Sequence, residues 1–397
     1  MAKKITSLKL RPKKKRSFQL FPFIAVFATV IVSLYVHLLN VKNRAVQLES
    51  LTAGALIKSV ASGELGVLDS SLLSQIYSKK GPYMADNLWI DIIDKGAEIM
   101  EAHGYAKHLV VFEVGAQSLT QSLYAIRKKF HTHCIEPSPR SFKRMVNRAI
   151  NEVKKDPSHG QYIHLYNAAA SGISGETLDF GAAGGTGDHV GEFDMWNMKP
   201  GKEPDDFPEN KKTKMVKVSS VRVDDIILDN SVKAEQIPGL EDVPPPPKID
   251  HVHAIKVDTQ GFEPNVFAGL KESIKQQKID YVLTEYWPNG IGLLNYDIRD
   301  KCEVAVEMLT TLIDSGYKLY ALPLAVHGSV NDRTIQRALA DWRKRPLNNL
   351  MADCYYILDL EKQFPQKDYH MGYWTDVLAI APNADPIIEL RSFGKKL

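Results

Sequence analysis

Four acidic residues close apolar runs in a way that would set carboxylates at the ends of buried strands. Glu113 follows Leu109, Val110, Val111 and Phe112. Glu136 follows His133, Cys134 and Ile135. Asp258 follows Ile255, Lys256 and Val257, and Glu285 comes just after Tyr281, Val282 and Leu283. In a parallel sheet the carboxyl ends of the strands share one rim, and ligands bind beyond it. A carboxylate there can accept two hydroxyl hydrogen bonds, as a ribose diol offers, or take a proton from an acceptor. The stretch around Asp258 carries the most detail. Ala254, Ile255 and Val257 suit a central strand. Gly261 permits a turn conformation that other residues avoid, and Glu263-Pro264 suits the first turn of a helix. Taken alone, this stretch is equally an ordinary strand, turn and helix with a capping acid.

The elements that must position these acids alternate. Residues 109–112 read as a strand buried on both faces. Ser118 and Gln121 form a capping-box pattern for a helix to Phe130. The strand at 133–135 is followed by Ser138-Pro139, an N-cap and N1 proline for a helix to about Val153. Residues 162–166 form a third strand, ending at Asn167 and Ala168. Strands alternating with helices imply a parallel α/β sheet. Residues 176–180 suit an edge strand, 181–190 a glycine-rich loop or lid, and 216–223 a strand. Asp224 and Asp225 need be no more than a solvated pair. After Asp258, the pattern predicts a strand at 281–283, a helix near 304–312, and strands at 317–322 and 353–358. A basic insertion with Arg333, Arg337, Arg343 and Arg345 lies between those last two, and reads as a solvated face.

The N-terminus is different. Residues 1–17 hold eight lysines and arginines and no acid, which exceeds the formal charge of +3 for all 397 residues. The remainder is therefore net acidic, which argues against nucleic acid as a partner. Residues 18–39 are uncharged and mostly Phe, Ile, Val, Leu and Ala, long enough to span a bilayer. With the basic cluster in front, the positive-inside rule predicts a single-pass type II signal-anchor with the body on the far side. A mitochondrial inner-membrane anchor is the rival expectation. Residues 67–104 suggest two helices, the second an amphipathic cover on the core. The three cysteines describe no disulfide framework. Cys134 and Cys354 fall in expected strands and read as buried thiols, with a single disulfide left open. No N-x-[ST] sequon occurs. No cluster has metal-ligand spacing, so no metal is expected.

The turn after the first strand has one glycine, Gly115, followed by Ala116, and so disfavours the pyrophosphate of a dinucleotide. Phe112-Glu113-Val114-Gly115-Ala116, Ile135-Glu136-Pro137-Ser138-Pro139, Asn167-Ala168-Ala169 with Gly172, Val223-Asp224-Asp225-Ile226 and the run from Ile255 to Glu263 occur in that order. Together they resemble the FkbM-type S-adenosylmethionine-dependent methyltransferases, over roughly 109–287. The resemblance implies a class I, Rossmann-like sheet of seven strands with helices on both faces and the last strand antiparallel. It implies S-adenosylmethionine as cofactor and O-methylation of a hydroxyl acceptor such as a glycan. By position, Glu113, Gly115 and Ala116 would flank the methionine part, Glu136 would hold the ribose, and Asn167 and Ala168 would lie on the adenine side. Asp258 and Glu263 would face the methyl group and acceptor as the catalytic pair. His251 or His253 could supply a base instead. The chain departs from the family pattern at Glu113, where aspartate is usual, at Leu119, where a second glycine is common, and at Thr259-Gln260, which stand in place of Val-Glu.

The expected organisation is a cytoplasmic tail at 1–17, a membrane span at 18–39, a stem with helices at 40–104, and a methyltransferase domain at 105–360. That domain has insertions near 181–215, 230–250 and 323–350, and a C-terminal extension follows at 361–397. Such a chain fits a membrane-bound enzyme of the Golgi or another secretory compartment. A type II glycosyltransferase is the alternative from topology, though no convincing D-x-D motif is present. A non-catalytic scaffold on a methyltransferase fold is the third possibility.

Overall fold

The computed structural model describes residues 85–102, 109–182, 188–191, 214–238, 245–294, 300–322, 324–326, 337–338, 341–342, 349–364, 372–384 and 395–396. The chain divides into two units, Met1–Asp69 and Ser70–Leu397, and every described residue lies in the second. The expected basic tail, membrane span and first stem helix lie outside the described residues, as does most of the arginine-bearing insertion. Among the described residues no helix is long and apolar enough to cross a membrane.

The elements in chain order are α1 (Ala85–Ala102), β1 (Val110–Val114), α2 (Ser122–Arg127), β2 (His131–Ile135), α3 (Pro139–Lys155), a 3-10 turn (Pro157–Tyr162), β3 (Ile163–Tyr166), β4 (Ala169–Ala170), β5 (Thr177–Ala182), β6 (His189–Val190), β7 (Lys214–Val221) and α4 (Val223–Ile227). They continue with β8 (Val252–Val257), α5 (Glu263–Ala268), α6 (Lys271–Lys275), β9 (Ile279–Tyr286), α7 (Pro288–Leu294), α8 (Lys301–Asp314), β10 (Lys318–Ala321), β11 (Ala325–Val326), α9 (Leu350–Gln363), β12 (Tyr373–Ile380) and β13 (Lys395–Lys396).

The main sheet runs β13-β10-β12-β9-β8-β1-β2-β3. Strands β3, β2, β1, β8 and β9 are parallel, and β12 is antiparallel to both β9 and β10. The sequence reverses direction at β1, whose neighbours are β2 on one side and β8 on the other. That reversal opens a crevice beyond the strand ends. This is a Rossmann-like mixed sheet, with the last of its seven long strands antiparallel to its neighbours. Helices cover both faces because strand residues alternate sides. Val111, Ala254, Tyr281 and Leu283 pack under Trp89, Ile92 and Ile93 of α1, while Cys134 and Leu165 lie under α2 and α3. Phe112, Ile255 and Val282 pack on the other side against α4, α5, α6, α8 and α9. A smaller sheet, β4-β7-β5-β6, extends from the end of β3.

Several expectations need correction. Residues 353–358 are helical: Asn349 caps α9 by accepting from the Ala352 amide at 3.0 Å, and Cys354, Ile357 and Leu360 bury one helical stripe. Cys354 is therefore no strand thiol, and it is disulfide-bonded to Cys302 of α8. The antiparallel strand comes instead from 373–380, inside what the sequence suggests is a C-terminal extension. Ser118 does not cap α2, which starts at Ser122 with no side-chain cap at Gln121. Gln117 and Leu119 adopt positive φ of 43° and 63°, so the chain curls into a loop before the helix begins. Ser138 does cap α3, as its sequence predicts. Asp224 is buried, and accepts from the Glu272 and Ser273 amides at 3.0 Å each, capping α6.

Candidate active site

A cavity of about 360 Å³ opens at the carboxyl ends of β1, β2 and β8. Its floor is set by Gly115, which has φ +83°; a Cβ there would run into the Asp258 carbonyl. Glycine thus lets the β1 turn close against β8. The amides of Gly115 and Ala116 both reach the Ile135 carbonyl, at 3.0 and 3.3 Å. Arg148 of α3 braces the loop from behind, its Nη1 donating to the Ser118 carbonyl at 2.7 Å.

Glu136 stands at the end of β2. The Gln117 amide donates to Oε2 at 2.8 Å and the Ser138 amide to Oε1 at 2.8 Å. Each oxygen keeps acceptor capacity on the cavity side. Burial outweighs these donors and pushes the carboxyl up to about 7. Glu113 also lines the cavity; it accepts from the Ser122 hydroxyl, and burial raises it to about 7. Beside it, Lys256 donates to Asp258 Oδ2 at 3.1 Å, and Gln260 Nε2 donates to Oδ1 at 2.9 Å. Burial opposes the charge on Asp258, but Lys256 and Gln260 hold its carboxyl below the usual range.

The structure thus brings together Glu113, Gly115, Ala116, Glu136 and Asp258. It does not bring Glu263 into the cavity. That carboxylate is fully buried under the turn, where Oε1 accepts from the Thr259 amide at 2.8 Å, the Thr259 hydroxyl at 3.0 Å and the Gly261 amide at 3.2 Å. Gly261 itself has φ +95° and no room for a side chain against Gly290. Asn167 is exposed and Ala168 packs on the core. The chain turns there into β4, so Ala169 and Ala170 reach the cavity in their place. Glu285 lies on the rim but outside the cavity lining. Neither histidine serves the site: His251 pairs with Asp280 at 2.7 Å and His253 bonds the Ile92 carbonyl of α1 at 3.0 Å.

Sequence reasoning missed Lys256, Asp86 and the hairpin residues Phe180, Asp188 and His189, all of which line the cavity. Lys256 had a signal, as a lone cation in an otherwise apolar strand. The hairpin had none, since its place over the cavity depends on pairing between β5 and β7, some forty residues apart in the chain. Thr259 and Gln260 both line the cavity; one bonds Glu263 and the other Asp258. The set suits binding of a nucleoside with a hydroxyl pair.

No protein-family model and no curated protein matches the chain. Among solved structures, an S-adenosylmethionine-dependent methyltransferase from Geobacter sulfurreducens, in complex with S-adenosyl-L-homocysteine, is 11% identical over 74% of this chain and 90% of its own, with a TM-score of 0.30. A precorrin-6y C5,15-methyltransferase from Geobacter metallireducens is 11% identical over 69% and 81%, with a TM-score of 0.25. The [4+2]-cyclase SpnF is 11% identical over 73% and 81%, with a TM-score of 0.27. Likenesses of this size decide nothing about activity; the strand order rests on the hydrogen-bonded pairs of this chain.

Proposed function

We propose that this chain is a membrane-anchored O-methyltransferase of the FkbM type, using S-adenosylmethionine to methylate a hydroxyl acceptor such as a glycan in the secretory pathway. The observation that carries the reading is Glu136. It is braced by two backbone amides at the end of β2, facing a cavity at the point where the strand order reverses. A carboxylate so held can receive both ribose hydroxyls. The single-glycine turn at Gly115 fits a cofactor without pyrophosphate. Glu113, Gly115 and Ala116 would hold the methionine part of S-adenosylmethionine, with Ala169, Ala170 and Phe180 on the adenine side. When bound, the cofactor supplies a methyl group on a positively charged sulfur.

The chain's own work is alignment and proton removal. Asp258 is fixed by Lys256 and Gln260 and lines the cavity with about a third of its side chain exposed. It orients the acceptor hydroxyl and takes its proton as the bond to carbon forms. Glu263 shapes the turn that presents Asp258. For the compartment, the Cys302–Cys354 disulfide suits an oxidising space, and the basic cluster ahead of the apolar run 18–39 suits an anchor with the body on the far side of the membrane.

The test is transfer of labelled methyl from S-adenosylmethionine by the purified full-length chain in detergent to a pool of released glycans. Incorporation that disappears in Asp258→Ala supports the reading. Nucleotide-sugar and manganese binding, with no methyl transfer, would favour the glycosyltransferase alternative.

A further inference from the structure

The cavity accounts for Glu113, Glu136 and Asp258, but not for the carboxylates beyond it. On the α1 side of the sheet, Val111, Ala254, Leu283 and Leu378 are apolar and lie beneath the helix. Toward the rim on that same side, the residues become Glu113 and Lys256, and then Asp258, Glu285 and Asp376. The register sets them in two steps: Glu113 pairs with Lys256, and because Val257 pairs with Thr284, the next positions, Asp258 and Glu285, are level, with Glu285 paired to Asp376. Asp86, in the first turn of α1, adds another acid close enough to act on Lys256 and Asp376. Lys256 is the single cation of the group, and Asp258 already holds it.

Glu285 is the odd member. It is only 8% exposed, and its Oε2 has no hydrogen-bond partner among the described residues. Burial first, then Asp258, Glu263 and Asp376, push its carboxyl well above the usual range; burial and Asp258 raise Asp376 to about 7. A buried group of carboxylates around one lysine is short of positive charge. A neutral hydroxyl acceptor needs one base and would leave Glu285 without a partner. Among the described residues no three His, Cys, Asp or Glu side chains converge as a metal shell would. Acids spread over neighbouring strands, about 4.8 Å apart, suit an ammonium group, whose N–H donors point several ways.

We propose that the acceptor carries a protonated amine, held by Glu285 and Asp376 beside the hydroxyl that Asp258 receives, as an amino sugar does. This rests on the methyl-transfer reading above. To test it, the full-length chain saturated with S-adenosyl-L-homocysteine is titrated by calorimetry with D-glucosamine against D-glucose, and D-galactosamine against D-galactose. The amino sugar of at least one pair should bind about tenfold more tightly, the scale of one charge-assisted hydrogen bond. Glu285→Gln and Asp376→Asn, each near-isosteric, should abolish that preference while leaving S-adenosyl-L-homocysteine affinity unchanged; should one variant fail to fold, the other carries the comparison. Equal binding within both pairs, or a preference that survives the substitutions, overturns the proposal. A wild-type chain that binds no S-adenosyl-L-homocysteine overturns the methyl-transfer reading as well, so the two failures are distinguished.

Discussion

Two acids five residues apart, Asp258 and Glu263, are candidates for the same chemistry in the sequence and have opposite fates in the fold. Asp258 faces the cavity with each oxygen held by a different donor. Glu263 faces inward and satisfies three donors of the turn. Asp258→Asn is therefore expected to lower kcat by about a hundredfold, the low end for loss of a general base, and to change S-adenosyl-L-homocysteine affinity little. Steady-state kinetics beside calorimetry separates the two effects; an equal loss in both would make Asp258 a binding residue. Glu263→Ala should instead cost stability, about 3 kcal/mol at roughly one per orphaned donor, read as a lower midpoint in chemical denaturation. A variant with native stability and no turnover would return Glu263 to a catalytic role.

At the scale of elements, the parallel strands were the most legible part. β1 and the middle of β9 are short apolar runs, and β2, β3 and β8 hold apolar residues among buried polar ones, each strand ending near a polar residue; burial on both faces leaves that mark in the sequence. The acids at their ends could be read for the same reason. What could not be read depends on distant pairing. β12 carries Thr375 and Asp376 among its apolar residues and follows β10 in the chain, so nothing local places it between β9 and β10. The β5–β6 hairpin reaches the cavity only because β7 holds it there. The stretch around Cys354 is apolar enough to suggest a strand, and only the cap at Asn349 and the buried stripe of α9 reveal a helix. The link from α9 to α8 through Cys302–Cys354 spans 52 residues. Opening it should cost about 2–4 kcal/mol, so thermal unfolding with and without reductant should show a lower Tm in the reduced chain. An unchanged Tm would mean that the disulfide contributes no stability.

For the whole molecule, buried ionisable groups pull stability in opposite directions with pH. His133 and His164 are buried on β2 and β3, and burial followed by their neighbouring histidines holds both below the ordinary range, His164 at about 3. The unfolded chain takes up those protons near pH 6.5, so this contribution is present above that pH and lost as pH falls. Glu113, Glu136, Glu263 and Asp376 run the other way, since burial raises each to about 7. The folded chain then keeps protons that the unfolded chain has already released near pH 4, and the benefit is lost as pH rises through 7. The Tm of the ligand-free chain should therefore fall below about pH 4, where only the histidines change, and fall again as pH rises from about 4.5 to about 7, where the four acids outnumber the two histidines, levelling off above that. A Tm that climbs steadily from pH 6 to 8 would contradict the burial of the acids around the site.

The central claim is that Glu136 holds the ribose of S-adenosylmethionine, and calorimetric binding of S-adenosyl-L-homocysteine to the wild-type chain and to Glu136→Ala tests it most directly. The account predicts one site in the wild type and an affinity weaker by about 1.5–3 kcal/mol in the variant, the range for hydrogen bonds to a charged group. Binding of equal strength in both, or none in the wild type, would contradict it.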